Sequence, residues 1–342
     1  MALLASILNS VAHNLNAGGC RFSTRALNGH GCQHLKKSFR QDEHTSKKIM
    51  SQEGLFNCQR LLRRRGRGSP VWLPQLTTRQ CIAQQVVSLH TSSIMAQWGI
   101  YHSQEECLNV LKEQVTSCPQ IQEVLNVFQR VSENQTGNDG EGKRHPFIVF
   151  EGLDGSGKST MTKLIAKRLG GVKMSTPGEN FLRLRPFFDE QPNHIRRAYY
   201  SLSNYAAALE IKEILKERPV ILDRFWHSTA AYAFAGTVND ISELPEPKDP
   251  VYMWPKDLKP YPDVVFFLKV SEAERLRRFR GRNTTNTAEE IRLAGEANYR
   301  LVLHEVYKRM CEPGVTEVDV SRPNVKAVAN HIFDLIQQRA TN

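Results

Sequence analysis

Hydrophobic and polar residues follow two different patterns along the chain. Short runs rich in apolar residues occupy 147–151, 172–174, 220–222, 264–270 and 317–320, and each has the length of one strand. Between these runs, apolar residues recur at three- and four-residue steps, as they do on amphipathic helices. Strands that alternate with helices and are apolar along most of their length predict an α/β fold, a parallel sheet covered by helices on both faces.

The helical pattern is clearest in three places. It predicts helices over 158–169 and 193–217 and a closing helix over 324–338, whereas the stretch between the second strand and residue 193 is predicted to be irregular. In a parallel sheet of this kind, ligands bind at the carboxyl ends of the strands. The residues that follow each strand are therefore the first candidates for a functional site.

A separate helical extension precedes the first strand. Apolar residues at helical spacing over 104–132 predict two helices, broken at Pro119, which suits the first turn of the second helix. The Gly-rich polar stretch that follows reads as a linker. The sequence thus predicts a helical preface over 101–135, a linker over 136–145 and a catalytic domain over 146–342, with the preface packing against that domain.

The first hundred residues differ from the rest in charge. Residues 1–100 hold 13 Lys and Arg against three acidic residues, and residues 1–41 contain no acid at all. An Arg-containing, Ser-rich and acid-poor segment is typical of a mitochondrial transit peptide, which predicts a mitochondrial (matrix) location. Two alternatives stay open: a disordered basic tail, or a nuclear or nucleic-acid patch at LLRRRGR (61–67).

Outside that segment, the composition excludes several classes of protein. The remaining 242 residues carry 33 Lys and Arg against 32 acids, so the folded part has no basic excess that would favour nucleic acid. No apolar run reaches 18 residues, which argues against a transmembrane segment. Seven cysteines, an odd number without a C-x-x-C pair, argue against a disulfide framework and against a zinc site. Small molecules are the expected partners, and the sequence is compatible with a homodimer.

The loop after the first strand carries the most specific motif. GLDGSGKS (152–159) fits G-x-x-x-x-G-K-[ST] at every fixed position, between an apolar strand and an amphipathic helix. Its glycines let backbone N–H groups surround a phosphate chain at the positive end of a helix. The predicted ATP-binding residues are Gly152, Leu153, Asp154, Gly155, Ser156, Gly157, Lys158, Ser159 and Thr160. Lys158 would contact the β- and γ-phosphates, and Ser159 would bind Mg²⁺.

Asp223 and Arg224 directly follow the third strand. A carboxylate at that place in a phosphate-loop fold lies beside the Mg²⁺ site, so Asp223 joins Ser159 as a predicted metal ligand. Arg224 can then reach the phosphate of the acceptor. The alternative is an Asp that caps a helix and a solvated Arg.

Five arginines lie between residues 275 and 282, at positions 275, 277, 278, 280 and 282. On a helix they could form a solvated basic face. Beside a triphosphate they predict a lid whose guanidinium groups neutralise the transferring phosphoryl group. Further candidates lie before the third strand, where Arg185 suits an acceptor phosphate and one of the tyrosines of the long helix could stack on a base.

Two segments together resemble a known family. FEGLDGSGKST (150–160) and DRFWHSTAAY (223–232) are similar to motifs of the thymidylate kinase family, and the resemblance extends over 146–342. IRRAYYSLSNYAAALEI (195–211) and DPVYMWPKDL (249–258) resemble the mitochondrial UMP-CMP kinase branch, which phosphorylates pyrimidine monophosphates. The resemblance implies the fold of a P-loop nucleoside monophosphate kinase with ATP and Mg²⁺ as cofactors.

The same resemblance implies roles for individual residues. Lys158, Asp223, Arg224, Arg278 and Arg282 would be catalytic, the last two as lid residues. The acceptor would be bound by Asp154, Arg185, Tyr200, Arg224 and Tyr232, with Tyr200 at the base and Asp154 and Tyr232 at the sugar. Phe225, Thr229 and Asn204 depart from the pattern of thymidylate kinases, which predicts a base other than thymine.

The sequence thus predicts an enzyme that phosphorylates dUMP, dCMP, CMP or UMP from MgATP. A thymidylate kinase and a deoxynucleoside kinase are the alternatives, and in the latter Glu151 could act as a base towards a 5′-hydroxyl. A GTPase switch is a third class with a phosphate loop, but no N-K-x-D guanine motif occurs.

Overall fold

The structure is a computed structural model that describes residues 98–134, 144–280, 288–321 and 324–340. Within these residues lie five strands: β1 (Phe147–Glu151), β2 (Val172–Ser175), β3 (Val220–Asp223), β4 (Val264–Lys269) and β5 (Val315–Asp319). The described helices are α1 (Gln104–Lys112), α2 (Pro119–Glu133), α3 (Lys158–Leu169), α4 (Glu179–Leu182), α5 (Arg185–Asp189), α6 (Asn193–Ile214), α7 (Trp226–Ala235), α8 (Glu272–Arg280), α9 (Ala288–Gly295), α10 (Ala297–Arg309) and α11 (Val325–Ala340).

The five strands form one parallel sheet in the order β2-β3-β1-β4-β5. Every residue of the central strand β1 is buried, as expected for a strand covered on both faces. Phe147 and Val149 belong to one hydrophobic cluster, whereas Ile148 and Phe150 belong to a second on the opposite face. The prediction of a parallel sheet covered on both faces is therefore confirmed.

The hydrophobic clusters on the two faces of the sheet differ in size. The cluster that contains Ile148 is completed by α3 and α11, with Ile165 and Ile332 fully buried. The cluster that contains Phe147 is larger and includes residues of α6, α7 and α10. Because the carboxyl ends of β1 and β3 lie side by side in this sheet, the residues after Glu151 and Leu222 meet at one edge.

The helices before β1 share the larger cluster with the sheet. α1 begins after Ser103, whose side chain accepts a hydrogen bond from the backbone N–H of Glu106 (3.2 Å). A short 3₁₀ turn, Val115–Ser117, separates it from α2, which begins at Pro119. Leu111 of α1 and Val124 of α2 are fully buried, and both helices pack against α6. These helices therefore share a hydrophobic core with the sheet.

One segment and several boundaries differ from those expected. The segment after β2, predicted to be irregular, contains the short helices α4 and α5. The long helix α6 ends at Ile214 rather than at 217, and β5 begins at Val315 rather than at 317. α4 and α5 span four and five residues, too few for a helical repeat to show in the sequence.

Several expectations concern residues that the structure does not describe. The proposed transit segment lies almost wholly outside the described residues, as do the linker up to 143 and residues 281–287, which include Arg282. Among the helices that the structure does describe, none is long and apolar enough to cross a membrane.

Candidate active site

The loop between β1 and α3 has the backbone shape that a phosphate requires. Gly152, Gly155 and Gly157 have φ angles of 138°, 85° and 96°, a region that residues with a side chain rarely adopt. A Cβ at Gly152 would also lie 2.8 Å from the backbone oxygen of Leu268 on β4. The motif therefore needs glycine for conformation and for its close approach to the neighbouring strand.

Lys158 begins α3 and points back into the loop. Its Nζ donates hydrogen bonds to the backbone oxygens of Gly152 and Leu153, both at 3.0 Å, and its residue is only 6 % exposed. Burial lowers the pKa of Lys158 to about 8, and the nearby Arg224 adds to this effect, against the opposing influence of Asp154. The ammonium group in the loop therefore loses its charge as the pH rises through about 8.

The next residue along α3 meets the end of β3. The Ser159 hydroxyl donates a 2.6 Å hydrogen bond to Oδ2 of Asp223, so the two predicted metal ligands lie together. Oxygen ligands of this kind suit Mg²⁺, which keeps most of its other positions for phosphates and water. In addition, the buried Ser156 hydroxyl has no hydrogen-bond partner among the described residues, as expected of a donor held for an anion. The residues present therefore fit MgATP.

Arg224 directly follows Asp223, the last residue of β3. Its backbone has a φ of 68°, and its Nη2 donates to Oδ1 of Asp154 at 2.6 Å. The guanidinium also lies 5.2 Å from the ring centre of Tyr232. Burial lowers the pKa of Arg224, but Asp154, Tyr232, Tyr307 and Glu151 together raise it by more, so the group stays charged. Three of the predicted acceptor residues, Asp154, Arg224 and Tyr232, are thus brought together.

The other two predicted acceptor residues share a different carboxylate. Asp189, at the end of α5, accepts hydrogen bonds from Nε of Arg185 (3.1 Å) and from the hydroxyl of Tyr200 (2.5 Å). Arg196 lies 3.6 Å from the same carboxylate and also pairs with Glu289 of α9. Burial raises the pKa of Tyr200 to about 12, so its hydroxyl remains a donor at neutral pH. Sequence reasoning missed Asp189, although its i,i+4 spacing from Arg185 was a usable signal.

Two tyrosines of α6 are buried in the core, and a third lies beside Asp189. The Tyr199 ring stacks on Phe188 with centres 4.3 Å apart, and Tyr205 donates to Asp257 at 2.7 Å. Both are buried among the helices, whereas Tyr200 is half-buried beside Asp189. Tyr200 is therefore the tyrosine of α6 that is placed to meet a ligand.

Two positions that depart from the thymidylate kinase pattern face each other. The side-chain amide of Asn204 on α6 donates to the hydroxyl of Thr229 on α7 at 2.9 Å. This direct pair was not foreseen, because the two residues lie 25 positions apart in the sequence.

The arginines of α8 have distinct partners. Arg275 is fully buried, pairs with Glu272, and donates to the backbone oxygen of Leu293 on α9 (3.1 Å). Arg278 donates to the backbone oxygens of Ser156 (3.0 Å) and Val320 (2.6 Å). In this structure Arg278 thus braces the phosphate loop through its carbonyls, and its role at the transferring phosphoryl group stays a prediction.

Glu151, the last residue of β1, is fully buried. Its carboxylate accepts hydrogen bonds from the backbone N–H groups of Phe225 (2.8 Å) and Ser228 (3.2 Å) and from the Tyr307 hydroxyl (3.0 Å). A side chain surrounded in this way is not placed to take a proton from a substrate hydroxyl.

Comparison with known proteins agrees with this geometry. The model of the thymidylate kinase family matches residues 150–332. Mitochondrial UMP-CMP kinase 2 of Homo sapiens is 37% identical over 240 residues, which cover 70% of this chain and 52% of that protein. A probable thymidylate kinase of Methanocaldococcus jannaschii is 26% identical over 199 residues, which cover 56% of this chain and 95% of that protein.

The chain thus spans about half the length of the human relative. Among solved structures, a thymidylate kinase from Candida albicans is similar, with 20% identity, a TM-score of 0.45, and coverage of 58% of this chain and 93% of that one. The family model covers more than half of this chain and includes both the phosphate loop and the Asp223-Arg224 pair. The chain belongs to the thymidylate kinase family.

Proposed function

We propose that this protein transfers the γ-phosphoryl group of MgATP to a pyrimidine nucleoside monophosphate. One observation carries the proposal: Asp154 of the phosphate loop is bound by Arg224, so the donor loop and a charged acceptor group adjoin. If ATP and the acceptor nucleotide bind on opposite sides of Asp154 and Arg224, the acceptor phosphate lies opposite the γ-phosphate of ATP. Phosphoryl transfer depends mainly on such positioning and on charge stabilisation.

On the donor side, the loop's own groups bind the triphosphate. The N–H groups of the loop and the start of α3 would bind phosphate oxygens, and Lys158 would exchange its two backbone partners for them. Ser159 and Asp223 would hold Mg²⁺, which supplies charge neutralisation for the transferred group. Arg278 keeps the Ser156 carbonyl turned outward, which directs the N–H of the same peptide group inward.

On the acceptor side, Arg224 and Arg185 would bind the monophosphate, while Tyr232 and Asp154 would flank the sugar and Tyr200 the base. The phosphate of a nucleoside monophosphate is already ionised at neutral pH, so the transfer needs no general base. A deoxynucleoside kinase would need one for a 5′-hydroxyl. The engagement of Glu151 by protein donors therefore favours a monophosphate as the acceptor.

The proposal also concerns which base the acceptor nucleotide carries. The human relative is named for UMP and CMP, and the archaeal relatives for thymidylate. In this chain the Asn204 and Thr229 pair offers small polar groups beside Tyr200 on α6. We therefore expect dUMP, dCMP, CMP and UMP as acceptors and dTMP as a poorer one.

The proposed location is the mitochondrial matrix. It is supported by the acid-poor, Arg-containing composition of residues 1–41 and by the mitochondrial name of the human relative. A fluorescent fusion of the full chain should co-localise with a matrix marker. A matched fusion in which the five Lys and Arg of residues 1–41 are replaced by Gln should not.

A substrate panel tests the activity. The full chain would be incubated with MgATP and, in turn, dUMP, dCMP, CMP, UMP, dTMP and the nucleosides deoxycytidine and uridine, with formation of ADP and of the diphosphate measured. Lys158→Met protein, prepared in parallel, controls for contaminating kinases. Preference for dTMP would indicate a thymidylate kinase, preference for a nucleoside a deoxynucleoside kinase, and no transfer to any acceptor would refute the proposal.

A further inference from the structure

Glu151 occupies an unusual place for a charged group. Its residue has no exposed surface, and it lies at the end of the central strand, one residue before the phosphate loop. Its four donors come from elsewhere: the N–H groups of Phe225 and Ser228, the Ser228 hydroxyl, and the Tyr307 hydroxyl. A carboxylate is stable without solvent only when its oxygens are satisfied in this way.

Two of the four donors are backbone N–H groups at the start of α7. Phe225 precedes the helix and has no side-chain oxygen that could cap it, and no capping bond is formed by its side chain. Glu151 accepts from the Phe225 and Ser228 N–H groups instead and places negative charge at the positive end of the helix. The carboxylate of β1 thus fixes where α7 begins.

This contact also fixes the backbone of Arg224, which precedes Phe225. With a φ of 68°, Arg224 has a conformation that is unfavourable for a residue with a side chain. Hydrogen bonds hold it on both sides: its own N–H donates to the Phe150 oxygen (3.0 Å), and the next N–H donates to Glu151 (2.8 Å). Glu151 therefore helps to keep Arg224 in this strained conformation.

The Arg224 side chain is held through a second path. Ser228 has a single hydroxyl proton, and it is directed to Glu151. The lone pairs of that oxygen are then free to accept the bond from Nη1 of Arg224 (2.9 Å). Tyr307 reinforces the arrangement, since its hydroxyl lies 3.1 Å from the Ser228 oxygen and also donates to Glu151. The negative charge of Glu151 thus sets the direction of the hydrogen bond between Ser228 and Nη1 of Arg224.

We propose that Glu151 is a positioning residue for the acceptor phosphate, which acts through Ser228 and the backbone of Phe225 to orient Arg224. The inference rests on the proposed function, in which Arg224 binds the phosphate of the acceptor. Glu151 itself touches neither nucleotide. Tyr307 supports the same arrangement from α10.

Glu151→Gln tests this inference because it keeps the shape and removes the charge. If the new amide nitrogen faces Ser228, the serine must accept from it and turn its own proton towards Arg224. If the nitrogen faces the start of α7, it meets two N–H groups. In either orientation two hydrogen-bond donors face each other and one of them loses its bond. We therefore expect the acceptor nucleotide to bind about tenfold or more weakly.

Two milder variants guard against a failure to fold. Ser228→Ala removes the acceptor for Arg224 but leaves three donors on Glu151, and Tyr307→Phe removes one donor. Tyr252→Phe is the matched control for the second, because it deletes another buried hydroxyl, bonded to the Pro245 oxygen at 2.9 Å. We expect the control to match the wild type in both nucleotide affinities.

The full-length variants would be compared by calorimetric titration with ATP and with dCMP or UMP, and by the KM of each substrate. We expect the acceptor Kd and KM to rise about tenfold or more in Glu151→Gln and Ser228→Ala and severalfold in Tyr307→Phe, with the ATP Kd within about twofold of the wild type. Equal losses for both nucleotides, or unchanged acceptor binding in Ser228→Ala, would overturn the inference.

The outcomes also separate this inference from the proposed function. A wild-type protein that transfers no phosphoryl group refutes the function, while direct titration of the acceptor still measures the role of Glu151. If the wild type phosphorylates a nucleoside and Glu151→Gln lowers kcat without changing the nucleoside KM, the carboxylate is a base and the positioning role is wrong.

Discussion

The phosphate loop lies in one continuous segment, whereas the acceptor side is assembled from five separate parts of the chain. Residues 152–159 follow one another from β1 into α3. By contrast, the proposed acceptor residues Arg185, Tyr200, Arg224 and Tyr232 lie on α5, on α6, after β3 and on α7. Arg224 bonds to Asp154 of the loop, whereas Arg185 and Tyr200 bond to Asp189. A contiguous site is determined by local backbone conformation, while a dispersed one depends on how the helices pack. Mutations should therefore affect the two sides separately.

The largest effect is expected on the donor side. Lys158→Met should lower kcat about 100- to 1000-fold, since a cation at the transferring phosphates is lost. Below about pH 8 the buried ammonium group opposes folding, because its pKa is lower in the folded chain than in the unfolded one. The melting temperature at pH 7 should therefore not decrease. A large decrease would show that Lys158 mainly supports the fold.

The strongest test of the acceptor side uses two variants of Arg224. Arg224→Ala and Arg224→Gly both remove the guanidinium, and both should raise the acceptor KM about hundredfold with little change for ATP. They should differ in stability, because only glycine tolerates a φ of 68° without strain. We expect Arg224→Gly to be more stable than Arg224→Ala by about 1 kcal/mol in urea unfolding. Equal effects on both KM values would contradict the separation of the two sides.

A pair of neighbouring arginines gives a smaller and well-controlled effect. Arg185→Ala should raise the acceptor KM about tenfold, because it removes the charged partner of Asp189 beside Tyr200. Arg183 points away from this cluster and pairs with Glu123 of α2 at 2.7 Å, on the surface. Arg183→Ala should leave both KM values unchanged. If the two variants behave alike, Arg185 does not contact the acceptor.

The smallest effect concerns pH. Phosphates favour the charged form of Lys158, so ATP binds to the protein whose Lys158 is protonated. With a pKa of about 8, this fraction falls above that pH. The ATP affinity should therefore decrease about fivefold between pH 8 and pH 9 at constant ionic strength. The Lys158→Met variant should show weak binding with no such dependence. A flat profile for the wild type would show that the ammonium pKa lies higher.

The same contrast explains what the sequence could reveal. The succession of strands and helices along the chain followed from hydrophobic spacing, and the phosphate loop followed from the motif between Gly152 and Ser159, because those signals are local. The position of Asp223 beside Ser159 also followed, since it requires only that β1 and β3 be neighbours. These parts of the site depend on the sheet alone.

The rest depended on packing that no local pattern encodes. The i,i+4 spacing of Arg185 and Asp189 is local, but the contact between Asp189 and Tyr200 depends on the packing of α5 against α6. Glu151 reads in the sequence as a carboxylate next to the phosphate loop, and its burial by α7 and α10 changes the interpretation of its chemistry. The separate partners of Arg275 and Arg278 were equally hidden within one run of arginines.

The packing of α1 and α2 on α6 has a practical consequence for shortened versions of this protein. A fragment that starts at the first strand would expose to solvent the hydrophobic side chains of α6 that α1 and α2 cover, although the family motif would be intact. Such a fragment should precipitate or need a detergent. A fragment that starts near Trp98 retains α1 and α2, which cover this hydrophobic surface. We therefore expect the shortest stable fragment to be longer than the segment that the family model matches.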